Sequence, residues 1–154
     1  MGDNLDLFDR NGVRTPMQWD DSPNAGFSTG KPFSEFVQGE LSYQNVNVAS
    51  QINDPDSLFR AIKRMIAVRK SHAAFGGSSM EWIETGNPSV AVYVRQHQNE
   101  TLLIINNLST TPQTIQVPVE YQAEYNDLLA GDTLALHAQL TIQSCSYQWL
   151  ELKK

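Results

Sequence analysis

The hydrophobic pattern of this chain changes character twice along its length. From residue 78 onward apolar positions recur with a period of two. Val90, Val92 and Val94 alternate with Ala91, Tyr93 and Arg95, which places the two sets on opposite faces of a strand. Met80 to Glu84 reads as a strand before it, with Thr85-Gly86-Asn87-Pro88 as the intervening turn. After a turn at His97-Gln98-Asn99, the unbroken run Leu102-Leu103-Ile104-Ile105 predicts a strand buried on both faces. Ile115 and Val117 mark a fourth strand, and Glu124 to Leu128 a fifth that ends at Ala130-Gly131-Asp132. Leu140 to Gln143 and Tyr147 to Leu152 complete the set. Short strands with a turn every ten residues or so predict an antiparallel β-sandwich over 78–154. Trp82, Tyr93, Tyr147 and Trp149 are expected in its core, and Cys145 as a small buried or edge residue.

Before that point the period is helical. Leu58, Ile62, Met65 and Ile66 form a stripe, widened by Phe59, Ala61 and Val68. Asp54 suits an N-cap and Pro55 the first helical position, where a missing N–H costs nothing. The helix is predicted over about 55–73, with Gly76-Gly77 stopping it. Arg60, Lys63, Arg64 and Lys70 fall on the side away from the stripe, and the basic residues, Arg69 among them, crowd its C-terminal half. A solvated face opposing the negative end of the helix dipole accounts for them. Residues 1 to about 53 show no period. They are rich in glycine and proline but also carry Phe8, Trp19, Phe27, Phe33, Phe36 and Tyr43, too many aromatics for a disordered segment. An ordered, irregular arm that needs another surface to pack on is the expectation.

Composition narrows the function. The 154 residues carry a formal charge of −6. That balance argues against nucleic acid and against an anionic membrane surface as partners, since both attract clustered cations. The single cysteine, Cys145, excludes an internal disulfide and fits a reducing, cytoplasmic setting. No segment has the length and apolarity of a membrane span, and the N-terminus has no signal-peptide pattern. Asn99-Glu100-Thr101 and Asn107-Leu108-Ser109 match the glycosylation sequon and are read as chance matches. Asp20, Asp21 and Asn24 do not have the spacing of a calcium loop, which needs six or more oxygens in a defined array, so no metal and no cofactor is expected.

One segment stands apart. Asp9-Arg10-Asn11-Gly12-Val13-Arg14-Thr15-Pro16-Met17-Gln18-Trp19 packs two arginines, a proline and a tryptophan into a stretch with no hydrophobic period. Together with Met1 to Asn4 and Asn24-Ala25-Gly26-Phe27-Ser28, it resembles the α-amylase family of glycoside hydrolases. Within that family it is most similar to the trehalose synthases, with oligo-1,6-glucosidases and related α-glucosidases next. The likeness continues in Val46-Asn47-Val48, Asp54 to Leu58, Ile66 to Lys70 and Tyr147 to Leu152, and so runs along essentially the whole chain.

The resemblance implies a fold, a role and a limit. The family acts from a (β/α)₈ barrel with an Asp nucleophile, a Glu acid/base and a second Asp. A barrel needs about 250 residues, and a retaining mechanism needs two carboxylates about 5 Å apart. The His-Asp pair that follows the seventh barrel strand is missing, because His72, His97 and His137 are followed by Ala, Gln and Ala. No carboxylate here falls on a catalytic position of the family, so no catalytic residue is expected in this chain. The resemblance implies a C-terminal piece: the last barrel loop and helix over 1–77, then the C-terminal β domain over 78–154. The partner it implies is the barrel itself.

Arg14 is the residue with an implied substrate role. In α-glucosidases of the family, the arginine of Arg-Thr-Pro-Met faces the glucose pocket and pairs with a barrel aspartate. A guanidinium suits the task because its fixed fork of donors holds a carboxylate and a hydroxyl together. A salt bridge that only pins the loop is the plainer reading. Asp9, Arg10, Pro16, Gln18 and Trp19 are read as structural members of the motif, with Trp19 anchoring the loop rather than stacking on a sugar. Two other functions stay open: a stand-alone carbohydrate-binding module taking an α-glucoside, and an assembly module that self-associates through Leu58, Ile62 and Met65.

Overall fold

A computed structural model describes residues 14–77 and 79–153. Packing divides the chain inside one helix, between Lys63 and Arg64, into two compact units.

The first unit holds loops, two short 3₁₀ turns (Pro23–Gly26 and Gly39–Leu41), helix α1 (Val48–Asn53) and the first residues of helix α2 (Leu58–Ser71). Helix α1 arises in the segment expected to be irregular. Asn47 builds it: its side-chain oxygen accepts from Ser50 N–H at 2.8 Å, and Ser50 Oγ completes a capping box. Six residues are too few to reveal a helical period in sequence.

The start of α2 also differs from expectation. Asp54 is not its N-cap. It is the extended residue (φ −95°, ψ 113°) that closes α1, and its carboxylate accepts from Asp56 N–H at 2.9 Å. The physical reason is Pro55, which disfavours the helical region for the residue before it and so ends α1 rather than opening α2. Ser57 takes the capping role: its hydroxyl accepts from Arg60 N–H at 3.2 Å, and Gln51 Oε1 accepts from Phe59 N–H at 3.0 Å. The exchange is reciprocal, since Ser57 Oγ donates to Gln51 C=O and Arg60 Nε to Ile52 C=O, two carbonyls that the end of α1 leaves open. Arg60 is thus more than a solvated charge.

The second unit is an antiparallel β-sandwich, as expected. Its strands are β1 (Ser79–Trp82), β2 (Val90–His97), β3 (Glu100–Asn107), β4 (Gln113–Gln116), β5 (Glu124–Asp127), β6 (Thr133–Ala135), β7 (Gln139–Ile142) and β8 (Tyr147–Leu152). Six form one sheet in the order β1-β2-β3-β8-β5-β6, and β4 pairs with β7 in a second. The three-residue β6 escaped the sequence pattern because it is too short to alternate.

Parity along β3 decides the interior. Leu103 and Ile105 point between the sheets with Val92, Val94, Ile115, Tyr125, Ile142 and Leu150. Leu102 and Ile104 point to the opposite face, where Ala74 and Phe75 cover them and Phe75 packs on Trp149 at 4.7 Å between ring centroids. All four β3 residues are buried, which is why that strand reads as an unbroken apolar run.

Two core assignments, and the expectation that Cys145 is a small buried or edge residue, need correction. Trp82 and Tyr147 are exposed rather than core, because both lie on the outer face of the six-stranded sheet beyond the cover of Ala74 and Phe75. Cys145 is exposed too, in a left-handed turn (φ 49°) before β8. Tyr93 and Trp149 are partly buried against the second cluster.

Two asparagines stitch the sheets. Asn107, at the end of β3, donates from Nδ2 to the carbonyls of Thr111 (2.8 Å), Gln143 (2.8 Å) and Ile142 (3.2 Å). Asn87 donates to Gln113 Oε1 and to Thr114 C=O on β4. Burial of Asn107 leaves no room for a glycan on its sequon.

Candidate functional site

The segment 14–28 is a braced loop. Gln18 is its keystone: Nε2 donates to Leu41 C=O (3.1 Å) and Val46 C=O (2.6 Å). The backbone then docks on the start of α1. Val48 N–H donates to Gln18 C=O and Ala49 N–H to Trp19 C=O, both at 2.9 Å. With Ser50 N–H capped by Asn47 and Gln51 N–H on Asn47 C=O, the first four amides of α1 all have partners. An otherwise irregular loop is held by the donors that a helix N-terminus must place somewhere.

The far side of the loop closes through three successive left-handed residues, Asn24 (φ 58°), Ala25 (φ 56°) and Gly26 (φ 64°). Asparagine and glycine tolerate this region, whereas alanine takes it at a cost of about 1–2 kcal/mol. The surroundings hold it there. Ala25 is fully buried, and its carbonyl accepts from Trp19 N–H at 2.9 Å and Asp20 N–H at 3.3 Å. Asn24 Nδ2 donates to the carbonyls of Ser28 and Gly30. Asp20 accepts from the hydroxyl and the N–H of Ser22, and these bonds hold its carboxyl below the usual range. Over-determined strain of this kind gathers at functional sites.

The candidate residues sit on this loop as follows. Arg14 is exposed at the first described position. Pro16 is buried and Gln18 half-buried. Trp19 is 49% exposed, so its backbone is anchored while its ring faces outward. Asp9 and Arg10 lie outside the described residues. Among the described residues of the motif Gln18 carries the most hydrogen bonds, and its type alone gave little hint of that role.

A second polar cluster lies in the sandwich unit. Glu100 Oε1 meets His72 Nδ1 at 2.6 Å, and Glu100 Oε2 accepts from Ala74 N–H at 2.6 Å. Burial pushes the Glu100 carboxyl up, but the Ala74 N–H, the His72 hydrogen bond and the charges of His72 and His97 together hold it below the usual range. Among the described residues, Glu151 joins these two within 4.8 Å, the one grouping with metal-ligand chemistry. Both Glu100 oxygens are already engaged there, so the cluster acts as a staple between the end of α2 and the β2–β3 hairpin. No helix among the described residues is long and apolar enough to cross a membrane.

Known proteins share both the loop and the sandwich. The family described as "Alpha amylase, catalytic domain" matches residues 1–77, and the "Alpha-amylase SusG C-terminal domain" matches residues 90–143.

The chain belongs to the α-amylase family.

Among curated relatives, trehalose synthase/amylase TreS of Mycobacterium tuberculosis is 40% identical over 132 residues, covering 81% of this chain and 22% of that protein. A trehalose synthase of Pimelobacter sp. is 41% identical over 166 residues, covering 99% of this chain and 29% of that protein. An oligo-1,6-glucosidase of Parageobacillus thermoglucosidasius follows at 36%, covering 80% and 21%. Among solved structures, trehalulose synthase MutB from Pseudomonas mesoacidophila MX-45 superimposes with a TM-score of 0.79 at 31% identity, over 94% of this chain and 26% of that one. A MutB mutant in complex with sucrose gives 0.81 at 31% identity, with the same coverage. The chain therefore spans less than a third of the length of these relatives.

Proposed function

We propose that this chain is the non-catalytic C-terminal part of a trehalose synthase-like enzyme, supporting a (β/α)₈ barrel and supplying Arg14 to its glucose pocket. The observation that carries the reading is the apolar ridge of α2. Leu58 (70% exposed), Ile62 and Ile66 are the residues an amphipathic helix should bury, yet all are exposed. They lie in the stretch that matches the catalytic domain of the family. A helix of the barrel wall, with the rest of the barrel as partner, accounts for the ridge.

The parent reaction would move a glucosyl unit within maltose to give trehalose. A carboxylate of the barrel attacks the anomeric carbon as the acid/base protonates the departing sugar oxygen, leaving a covalent β-glucosyl ester. The freed glucose then turns and attacks that ester through a different hydroxyl, in a pocket closed to water. Arg14 would close the far wall of that pocket, holding a barrel aspartate and a sugar hydroxyl with one guanidinium. The braced loop from Gln18 to Ala25 supports such a placement, because it gives Arg14 a stiff base.

The test uses the longer protein that carries this chain. On maltose it should form trehalose, whereas net glucose release without trehalose would assign a hydrolytic α-glucosidase parent instead. Arg14→Lys keeps the charge but loses the fork. It should lower kcat/KM roughly 10- to 100-fold, the loss of one or two charge-assisted hydrogen bonds. An unchanged kcat/KM would remove Arg14 from the pocket and leave it as a loop salt bridge.

A further inference from the structure

We infer that the outer edge of the six-stranded sheet carries a binding site for a neutral sugar ring, centred on Trp82. Four observations converge there. Trp82 ends the edge strand β1 with its side chain 59% exposed, a poor place for an indole that serves only packing. It is nonetheless held: Tyr93, its cross-strand partner, meets it edge-on at 5.2 Å between centroids and 65° between planes. An open groove of about 460 Å³ adjoins it, lined by Trp82, the 83–88 loop and Val90–Val92. That volume lies in the range of small-molecule sites, roughly 300–1,000 Å³. The loop is rigid as well. Ile83 N–H pairs with Val92 C=O, Gly86 makes the left-handed corner (φ 71°), and Asn87 is bonded to Gln113, Thr114 and Ser89 N–H.

The chemistry of the groove selects its ligand. A flat exposed indole matches the C–H face of a pyranose, which is apolar over one side of the ring. The exposed Glu84 carboxylate beside it is an acceptor for the hydroxyl rim of the same ring. Glu84, in a chain of formal charge −6, disfavours phosphorylated or otherwise anionic sugars. A rigid platform also loses little conformational freedom on binding, which favours even a single-ring contact. The site stands on the sandwich unit alone. It does not depend on Arg14 or on the activity of the longer protein.

Titration of the isotope-labelled 154-residue chain with maltotriose, and separately with cellotriose, tests the proposal by amide chemical shifts. Saturable shifts confined to residues 82–92, with a millimolar Kd for either sugar, are expected. Trp82→Ala should weaken that binding about tenfold, and Trp19→Ala, which removes the other half-exposed indole described above, should leave it unchanged. Should Trp82→Ala lose its dispersed spectrum, Glu84→Ala reads the same site from an exposed loop position and should weaken binding several-fold. No shift in 82–92 with either sugar at about twenty times a millimolar Kd overturns the site. Shifts that survive both Trp82→Ala and Glu84→Ala, or that appear with an extended apolar peptide and not with sugar, overturn it too.

Discussion

Replacing Asn107 by alanine tests how the two sheets are held together. Asn107 is 2% exposed at the end of β3. Its amide group donates to Thr111 and Gln143 at 2.8 Å each, and reaches Ile142 of β7 at 3.2 Å. Its oxygen accepts from the N–H (2.9 Å) and hydroxyl (2.8 Å) of Ser109. Alanine removes all of these. The Ser109 groups lie near solvent and recover partners from water, so their loss counts for little. The two short donated bonds contribute about 1 kcal/mol each, and a carbonyl left buried without a donor costs about 1–3 kcal/mol more. The expected destabilisation is therefore about 3–5 kcal/mol. In a small domain each kcal/mol moves the midpoint by roughly 4–8 °C, so a drop of more than about 12 °C is expected. Thermal and urea unfolding followed by circular dichroism measure it. Asn107→Asp sharpens the reading: a carboxylate aimed at three carbonyls should be at least as damaging at neutral pH, and part of the loss should return on acidification, as the carboxyl regains a proton to donate. A loss below about 1 kcal/mol for the alanine variant, with an unchanged urea slope, would refute the stitch at Asn107 and leave the second sheet held by Asn87 and the apolar contacts.

Other expectations follow from the same reasoning. The Glu100 carboxyl is held below its usual range in the folded state. Its contribution is therefore fully present above the unfolded carboxylate value and is lost as pH falls through the lowered folded value. Urea unfolding across the acid range should show the wild type losing its advantage over Glu100→Gln as pH drops, and an advantage constant with pH would refute the staple. The ridge on α2 should drive self-association of the chain in light scattering at high concentration, and Leu58→Ser with Ile66→Ser should reduce it. Because both side chains are exposed, stability should change by no more than about 0.5 kcal/mol per site. A strictly monomeric wild type would show that the ridge attracts no second copy.

Legibility in sequence tracked how local the cause was. β8 and the alternating β2 follow from side chains that point alternately in and out, and β3 from a run buried on both faces. The family motif was legible residue by residue, because its members are adjacent in the chain. The start of α2 was misplaced since Asp54-Pro55 reads equally as a helix opening or as the end of the preceding helix. What settles it is Asn47 and Ser57, whose roles depend on bonds to residues several positions away.

By itself the sequence determined the sandwich, the family and the identity of the loop that carries Arg14. Each of these rests on the order and period of neighbouring residues, which the backbone translates into faces and turns. Only the tertiary structure decided which apolar residues are covered. The stripe Leu58, Ile62 and Ile66 and the indole of Trp82 have the composition of core, and both are exposed here. Burial is a property of what lies opposite a side chain, and period alone cannot say whether anything does. For the same reason Gln18, an unremarkable amide in the sequence, becomes the residue that braces the motif: its carbonyl partners at Leu41 and Val46 are brought to it only by the folded chain.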